Sequence, residues 1–408
     1  MINFLSAPPP SESCHGDVAT SFLSLSFSPR NPSFFPSGNG HRSNNDRKQI
    51  EQMTTLPPLY LPTTADRDRF FARGGRGHHG TYTGTIKKGI GRYGLRLPWQ
   101  LPIKNETMTT PPYLSPGDRV AIAAPARKIA ADELRPAIQL LTNWGLDVVL
   151  PEHLYDAENQ FAGDDRTRAA TMQQLLDDPD VRAIFCARGG YGTVRIIDRL
   201  DFSAFAQHPK WIVGYSDITV LHSHINRHWG IETLHATMPI DIPGPESYPS
   251  TESLHRCLWG EETAYRWEAH PLNRKGEAEA AVVGGNLSIL YSLCGSASDI
   301  DTEGKILFIE DLDEYLYHID RMMMNLKRSG HLAGLAGLAV GRFCKMHDNT
   351  VPFGRTAEQI IYDAVAEYDY PVCFGLAAGH IGTDNLALPF GRRARLHVGD
   401  WTELRFAR

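Results

Sequence analysis

Residues 117–150 read GDRVAIAAPARKIAADELRPAIQLLTNWGLDVVL. Residues 120–124 form a short apolar run bounded by Asp118 and Pro125, which reads as a strand buried on both faces. Residues 131–144 then place Leu134, Ile138, Leu141 and Trp144 on one helical stripe that stops at Gly145. Residues 147–150 return as a second strand. The alternation continues with a helix over 166–176, a boundary at Pro179, and a strand over 181–187 that ends in Arg188-Gly189-Gly190-Tyr191-Gly192. Another strand covers 211–215 and a helix runs through Ile218, Val220, Leu221 and Ile225. Strands and helices of these lengths, in this order, predict an α/β fold built on a parallel sheet with both faces covered. Ligands in such sheets bind beyond the carboxyl ends of the strands, so the residues there are the ones to read for chemistry.

Upstream the pattern vanishes. The chain has 408 residues and a net charge of −6, but residues 1–107 carry 13 Lys and Arg against 7 Asp and Glu. That segment is crowded with Pro, Ser, Gly and Asn and has no sustained period, so it lacks the apolar area to offset the entropy of ordering it. We read 1–107 as a disordered extension or a start assigned too far upstream, with Met108 as the alternative start. It has no apolar core of the kind a secretory signal needs. A Gly-Gly-Arg-Gly-His-His fragment at 74–79 resembles a piece of an Arg/Gly tract, but one fragment does not make a nucleic-acid arm. No apolar run approaches the roughly 20 residues of a membrane span. The six cysteines (14, 186, 257, 294, 344 and 373) contain no C-x-x-C pair, which excludes a disulfide framework or zinc ribbon and suits a reducing, cytoplasmic setting.

Three strand ends carry candidate chemistry. Gly214-Tyr215-Ser216-Asp217 joins a strand to a helix as a nucleophile elbow does, exposing a hydroxyl beside the positive end of the helix. Ile218 replaces the second glycine of that motif, so on this feature alone Ser216 reads as an ordinary helix N-cap rather than a nucleophile. The strand over 305–309 ends in Glu310-Asp311, and Glu310 is either an acid of the site or an N-terminal charge for the helix over 315–328. The strand over 371–376 ends in a glycine-rich loop that carries His380. A serine needs a base, and the base needs an orienting acid. Ser216, Glu310 and His380 supply these types in the chain order Ser, acid, His. Acyl transfer also needs two N–H donors, which the Asp217 amide and the Gly189-Gly190 turn can offer. The phosphate-cradling alternative fails for lack of G-x-G-x-x-G or a P-loop lysine. His222, His224 and His228 look like a metal motif, yet on a helix only His224 and His228 share a face and no H-E-x-x-H is present. The expected role of that face is solvation. His235 follows a short apolar turn and is expected to line the cleft.

Taken in order, Gly117-Asp-Arg-Val-Ala-Ile-Ala-Ala-Pro, Arg188-Gly-Gly-Tyr-Gly, Gly214-Tyr-Ser-Asp, Gly284-Gly-Asn-Leu, Phe308-Ile-Glu-Asp with Asp320-Arg321, and Gly379-His380 with Asn385 resemble the LD-carboxypeptidase family of serine peptidases. That family includes muramoyltetrapeptide carboxypeptidases and microcin C immunity proteins. The resemblance covers residues 112–408 and implies a Rossmann-like N-terminal domain over 112–260 carrying the nucleophile. A smaller strand-rich C-terminal domain over 275–408 would carry the acid and the base. It implies Ser216 as nucleophile, Glu310 as acid, His380 as base, and oxyanion donors at Asp217 and at Gly189 or Gly190. Arg188, Arg321, His235 and Asn286 are the expected substrate-binding residues. Pro125-Ala126, His235-Ala-Thr and Gly295-Ser296 depart from the family's usual residues, all outside the triad.

The activity implied is metal-free and cofactor-free release of a terminal D-Ala from cytoplasmic murein tetrapeptides by a homodimer, in peptidoglycan recycling. Its partner is a small peptide or muropeptide, with no nucleic acid and no membrane. Two alternatives stay open: hydrolysis of a peptidyl- or aminoacyl-nucleotide, and a non-catalytic binding module.

Overall fold

The computed structural model describes residues 108–408. The expected extension over 1–107 lies outside them. The first sheet is assembled from β1 (Arg119–Ala123), β2 (Asp147–Val149), β3 (Val181–Cys186), β4 (Trp211–Gly214) and β5 (Thr233–His235). These five strands lie in the spatial order β5-β4-β3-β1-β2, every pair parallel. The connections are α1 (Ala131–Asn143), α2 (Asp165–Asp177), α3 (Ser203–Gln207) and α4 (Thr219–Trp229). The period of two in β1 explains the two-sided cover. Val120 and Ile122 pack with Leu134 and Leu141 of α1, whereas Ala121 and Ala123 pack with Leu176 of α2 and Leu221 of α4. Helix α2 begins where the Asp164 side chain accepts a hydrogen bond from the Thr167 amide at 2.6 Å. It ends on a buried lysine: Lys210 Nζ, just before β4, donates to the carbonyls of Leu175, Leu176 and Asp178.

The chain continues through α5 (Pro249–Leu258), β6 (Ala264–Glu268), β7 (Gly276–Asn286), α6 (Leu287–Leu293), β8 (Ile306–Leu312), α7 (Leu316–Arg328), β9 (Gly337–Cys344), α8 (Ala357–Ala364) and β10 (Val372–Cys373). It closes with β11 (Leu388–Phe390), β12 (Arg393–Val398) and β13 (Trp401–Phe406). The second sheet has the order β10-β9-β8-β7-β12-β13-β6, parallel over its first four strands and antiparallel thereafter. The fold is therefore α/β, with a mostly parallel N-terminal sheet and a mixed C-terminal one.

Two local features position the site. Strand β8 does not stop before Glu310 but runs through it to Leu312, with a register shift against β9 between Ile309 and Asp311. Such a bulge re-aims side chains that strict alternation would send to opposite faces. Strand β11 leaves the second sheet altogether and pairs antiparallel with β5, Leu388 opposite His235 and Phe390 opposite Thr233. The expected strand over 371–376 is only two residues long, because Gly375 at φ +85° turns the chain.

Candidate active site

Ser216 stands two residues beyond Gly214, the end of β4 in the first sheet. It has φ +61°, a left-handed conformation that costs a non-glycine residue about 1 kcal/mol or more and is retained where the surroundings dictate it. A single 3₁₀ turn, Ser216–Ile218, leads from it into α4. His222 of α4 contacts the Gly214 carbonyl with Nε2 at 2.8 Å, bracing the strand end from below. The loop after β3 lies directly against this turn. A Cβ added to Gly189 would stand 3.0 Å from Ser216 Cβ, 3.1 Å from its Oγ and 3.3 Å from the Asp217 nitrogen. Only glycine brings the backbone that close, and the Gly189-Gly190 turn and the Asp217 amide thus share one small region around the hydroxyl.

The acid and the imidazole come from the second sheet. Glu310 is fully buried in β8, and its Oε2 lies 2.7 Å from His380 Nδ1. The His380 loop passes tightly over that carboxylate: Gly379 has φ +110°, and a Cβ there would stand 2.6 Å from Glu310 Oε2. The Gly379 amide donates to Asn385 Oδ1 at 2.8 Å, which fixes the loop. The Tyr215 ring lies 4.8 Å from the imidazole, centroid to centroid. With Nδ1 held on the carboxylate, Nε2 is the ring nitrogen left for chemistry. Burial works against the imidazolium, but the charge and hydrogen bond of Glu310, aided by Asp311 and Asp241, outweigh it and raise the His380 pKa. Asp311, beside Glu310, is pushed up to about 7, by burial first and by the Glu310 charge second. Its oxygens accept from Asn286 Nδ2 at 2.9 Å and the Ser288 amide at 2.8 Å.

Ser216, His380, Gly189, Gly190, Arg188 and Asn286 all face one cavity of about 510 Å³. Glu310 sits behind His380, and Asp217 turns its side chain into the protein, where Oδ2 accepts from the Thr193 amide at 2.8 Å. Two expected residues are elsewhere. His235 is wholly buried at the end of β5 among Tyr215, Phe308 and Phe390, because β11 covers the edge on which it would have been exposed. Arg321 lies on the outer side of α7 with its guanidinium over the Tyr317 ring at 5.1 Å, away from the cavity. The histidines of α4 do not form a solvated face either. His224 Nδ1 meets Ser298 Oγ at 2.9 Å and His228 Nε2 meets the Ala297 carbonyl at 2.6 Å, so both hold the loop after α6.

The sequence reading missed Arg127, Asp241, Asp313 and Glu314, all of which line the cavity. Arg127, Asp313 and Glu314 were findable, since they follow β1 and β8 at the carboxyl ends of the strands; Asp241 lies in a connection without pattern. Away from the cleft, Cys294, Asp299 and His331 bring donor atoms within 4.8 Å of one another, and His331 Nε2 pairs with Asp299 Oδ1 at 2.9 Å.

A serine forced into a left-handed turn at a helix head, across a cavity from a buried carboxylate–imidazole pair, is the constellation of serine-type hydrolases. Residues 120–236 match the LD-carboxypeptidase N-terminal domain and residues 279–396 the LD-carboxypeptidase C-terminal domain. The "Probable murein peptide carboxypeptidase" of Bacillus subtilis (strain 168) is 39% identical over 300 residues, 72% of this chain and 92% of that protein. The "Murein tetrapeptide carboxypeptidase" of Pseudomonas aeruginosa is 31% identical over 289 residues, 68% of this chain and 92% of that one. The crystal structure of muramoyltetrapeptide carboxypeptidase from Oxalobacter formigenes superposes with a TM-score of 0.66 at 29% identity, covering 71% of this chain and 99% of that one. The chain belongs to the LD-carboxypeptidase family. Among the described residues no helix is long and apolar enough to cross a membrane.

Proposed function

We propose that the protein is a serine LD-carboxypeptidase that releases the terminal D-Ala of murein tetrapeptides, with Ser216, His380 and Glu310 as its triad. The observation that carries this reading is the pairing of His380 with a fully buried Glu310 on the same cavity as the strained Ser216. His380 Nε2 takes the Ser216 proton while Oγ attacks the carbonyl carbon of the residue before D-Ala. Charge gathers on the carbonyl oxygen, where the Asp217 amide and an amide of the Gly189-Gly190 turn would receive it. The intermediate collapses, the C–N bond breaks, and His380 returns the proton to the departing D-Ala nitrogen. Water, deprotonated by the same imidazole, then attacks the acyl ester, the ester C–O bond breaks, and the imidazolium returns the proton to Ser216 Oγ. Glu310 keeps Nδ1 protonated and offsets the imidazolium charge throughout.

The substrate ends in a free carboxylate. Arg127 and Arg188 are the cations of the cavity lining and would hold it. The murein assignment draws on the names of the relatives, which share 31–39% identity with this chain. No step is assigned to a metal. The test is D-Ala release from a murein tetrapeptide by the full chain with chelator present, alongside Ser216→Ala. Release that falls about 10⁴-fold or more in the variant supports the reading. Equal release by both proteins would remove Ser216 from it. A folded wild type that spares the tetrapeptide and cleaves an aminoacyl-nucleotide would move the substrate assignment.

A further inference from the structure

The Asp217 side chain has no part in the scheme above, although its amide does. The carboxylate is almost completely buried, and Oδ2 accepts the Thr193 N–H at 2.8 Å from across the loop. Thr193 directly follows the Arg188–Gly192 turn, so this bond ties the far end of the glycine loop to the residue after Ser216. A second buried group grips the same end. Arg168 of α2 donates to the Gly192 carbonyl at 3.0 Å and to the Pro125 carbonyl after β1. Arg168 is itself paired with Asp165, and its charge reaches Asp217. Gly192 admits this grip because a Cβ there would stand 2.9 Å from the guanidinium and 3.1 Å from Ala126 Cα. The near end of the loop lies close to the serine turn at Gly189, where an added Cβ would stand 3.0 Å from Ser216 Cβ.

We propose that the Asp217 carboxylate is a positioning residue, clamping the Gly189-Gly190 loop to the Ser216 turn so that the donors on both sides of the hydroxyl keep one fixed spacing. The proposal rests on the serine-hydrolase reading of the site. An oxyanion hole works only if its donors are placed before the charge develops, and a loop free to drift by an ångström loses that preorganisation. Substrate in its ground state does not need the donors at full strength. Loss of the clamp therefore falls on turnover and spares ground-state binding.

Asp217→Asn keeps an oxygen that can accept from Thr193, whereas Asp217→Ala removes it. In the full chain, Asp217→Ala is expected to lower kcat for D-Ala release about 10²-fold and leave KM within about threefold. Asp217→Asn should return to within about fivefold of wild type. A fluorophosphonate probe read by mass spectrometry at Ser216 gives an independent measure, because its phosphoryl oxygen needs the same donors and no peptide. The labelling rate should fall in step with kcat. A purely structural role would instead lower the melting temperature of Asp217→Ala and leave kcat and labelling of its folded fraction unchanged, and that result overturns the clamp. Equal damage from Asn and Ala would overturn the Thr193 bond as its agent. A folded wild type that neither labels nor turns over would instead overturn the serine-hydrolase reading, and the clamp with it.

Discussion

On the proposed reading, Ser216 records its function as strain. A serine at φ +61° gives up local stability that a glycine would keep, so the two roles separate by substitution. Ser216→Gly should abolish activity yet unfold at a free energy about 1 kcal/mol above that of Ser216→Ala, measured by urea titration. His380 separates in pH. On the proposed reading its base form is the active one, so kcat/KM should rise with pH through an inflection above the ordinary imidazole value near 6.5, because Glu310 and its acidic neighbours raise it. In Glu310→Gln the carboxylate charge is gone and burial of the imidazole has less to oppose it. The inflection should then move down while the plateau falls by about 10²-fold or more. A profile that keeps its inflection in Glu310→Gln would take the acid role away from that residue. As a candidate, Ser216 was legible because it follows the compact apolar strand β4, whereas Glu310 lies inside β8 and His380 stands in a loop well beyond the two-residue β10. His235, read as following a short apolar turn and lining the cleft, was misplaced, since its covering strand β11 arrives from more than 150 residues downstream and leaves no local trace.

At the scale of elements, the parallel half of the molecule was readable because its strands are buried on both faces and its helices carry one apolar stripe. Strands β1 and β3 and helices α1 and α2 fall within a residue or two of where periodicity puts them. Less legible were the devices that finish the elements. Lys210 looks like a surface lysine before a strand, yet it is buried against three carbonyls at the end of α2, and burial lowers its pKa to about 8. Lys210→Met would take the ammonium donor from those carbonyls, of which that of Asp178 keeps the Val181 N–H, and should cost roughly 2–4 kcal/mol in chemical denaturation. A loss under about 0.5 kcal/mol would mean that water replaces the ammonium. The bulge in β8, between Ile309 and Asp311, is equally invisible to a period-of-two reading.

Across the whole molecule, the two sheets are stitched by chain segments that cross between them. Next to the β11 crossing, Arg392 donates from Nη2 and Nε to Glu232 Oε2 at 2.6 and 3.0 Å, and both side chains are buried. Glu232→Ala would strand a guanidinium in the interior and should cost roughly 3–5 kcal/mol, read as a drop in the urea midpoint. The same crossing is why a serine from one sheet can face a histidine from the other, and that meeting is the central claim. The most direct measurement is rapid-quench mass spectrometry of the full chain mixed with a murein tetrapeptide, mapped to the modified residue. The account predicts a transient adduct on Ser216 with the mass of the peptide less D-Ala, and no adduct in Ser216→Ala. D-Ala released at the wild-type rate by Ser216→Ala, with no adduct in either protein, would contradict it.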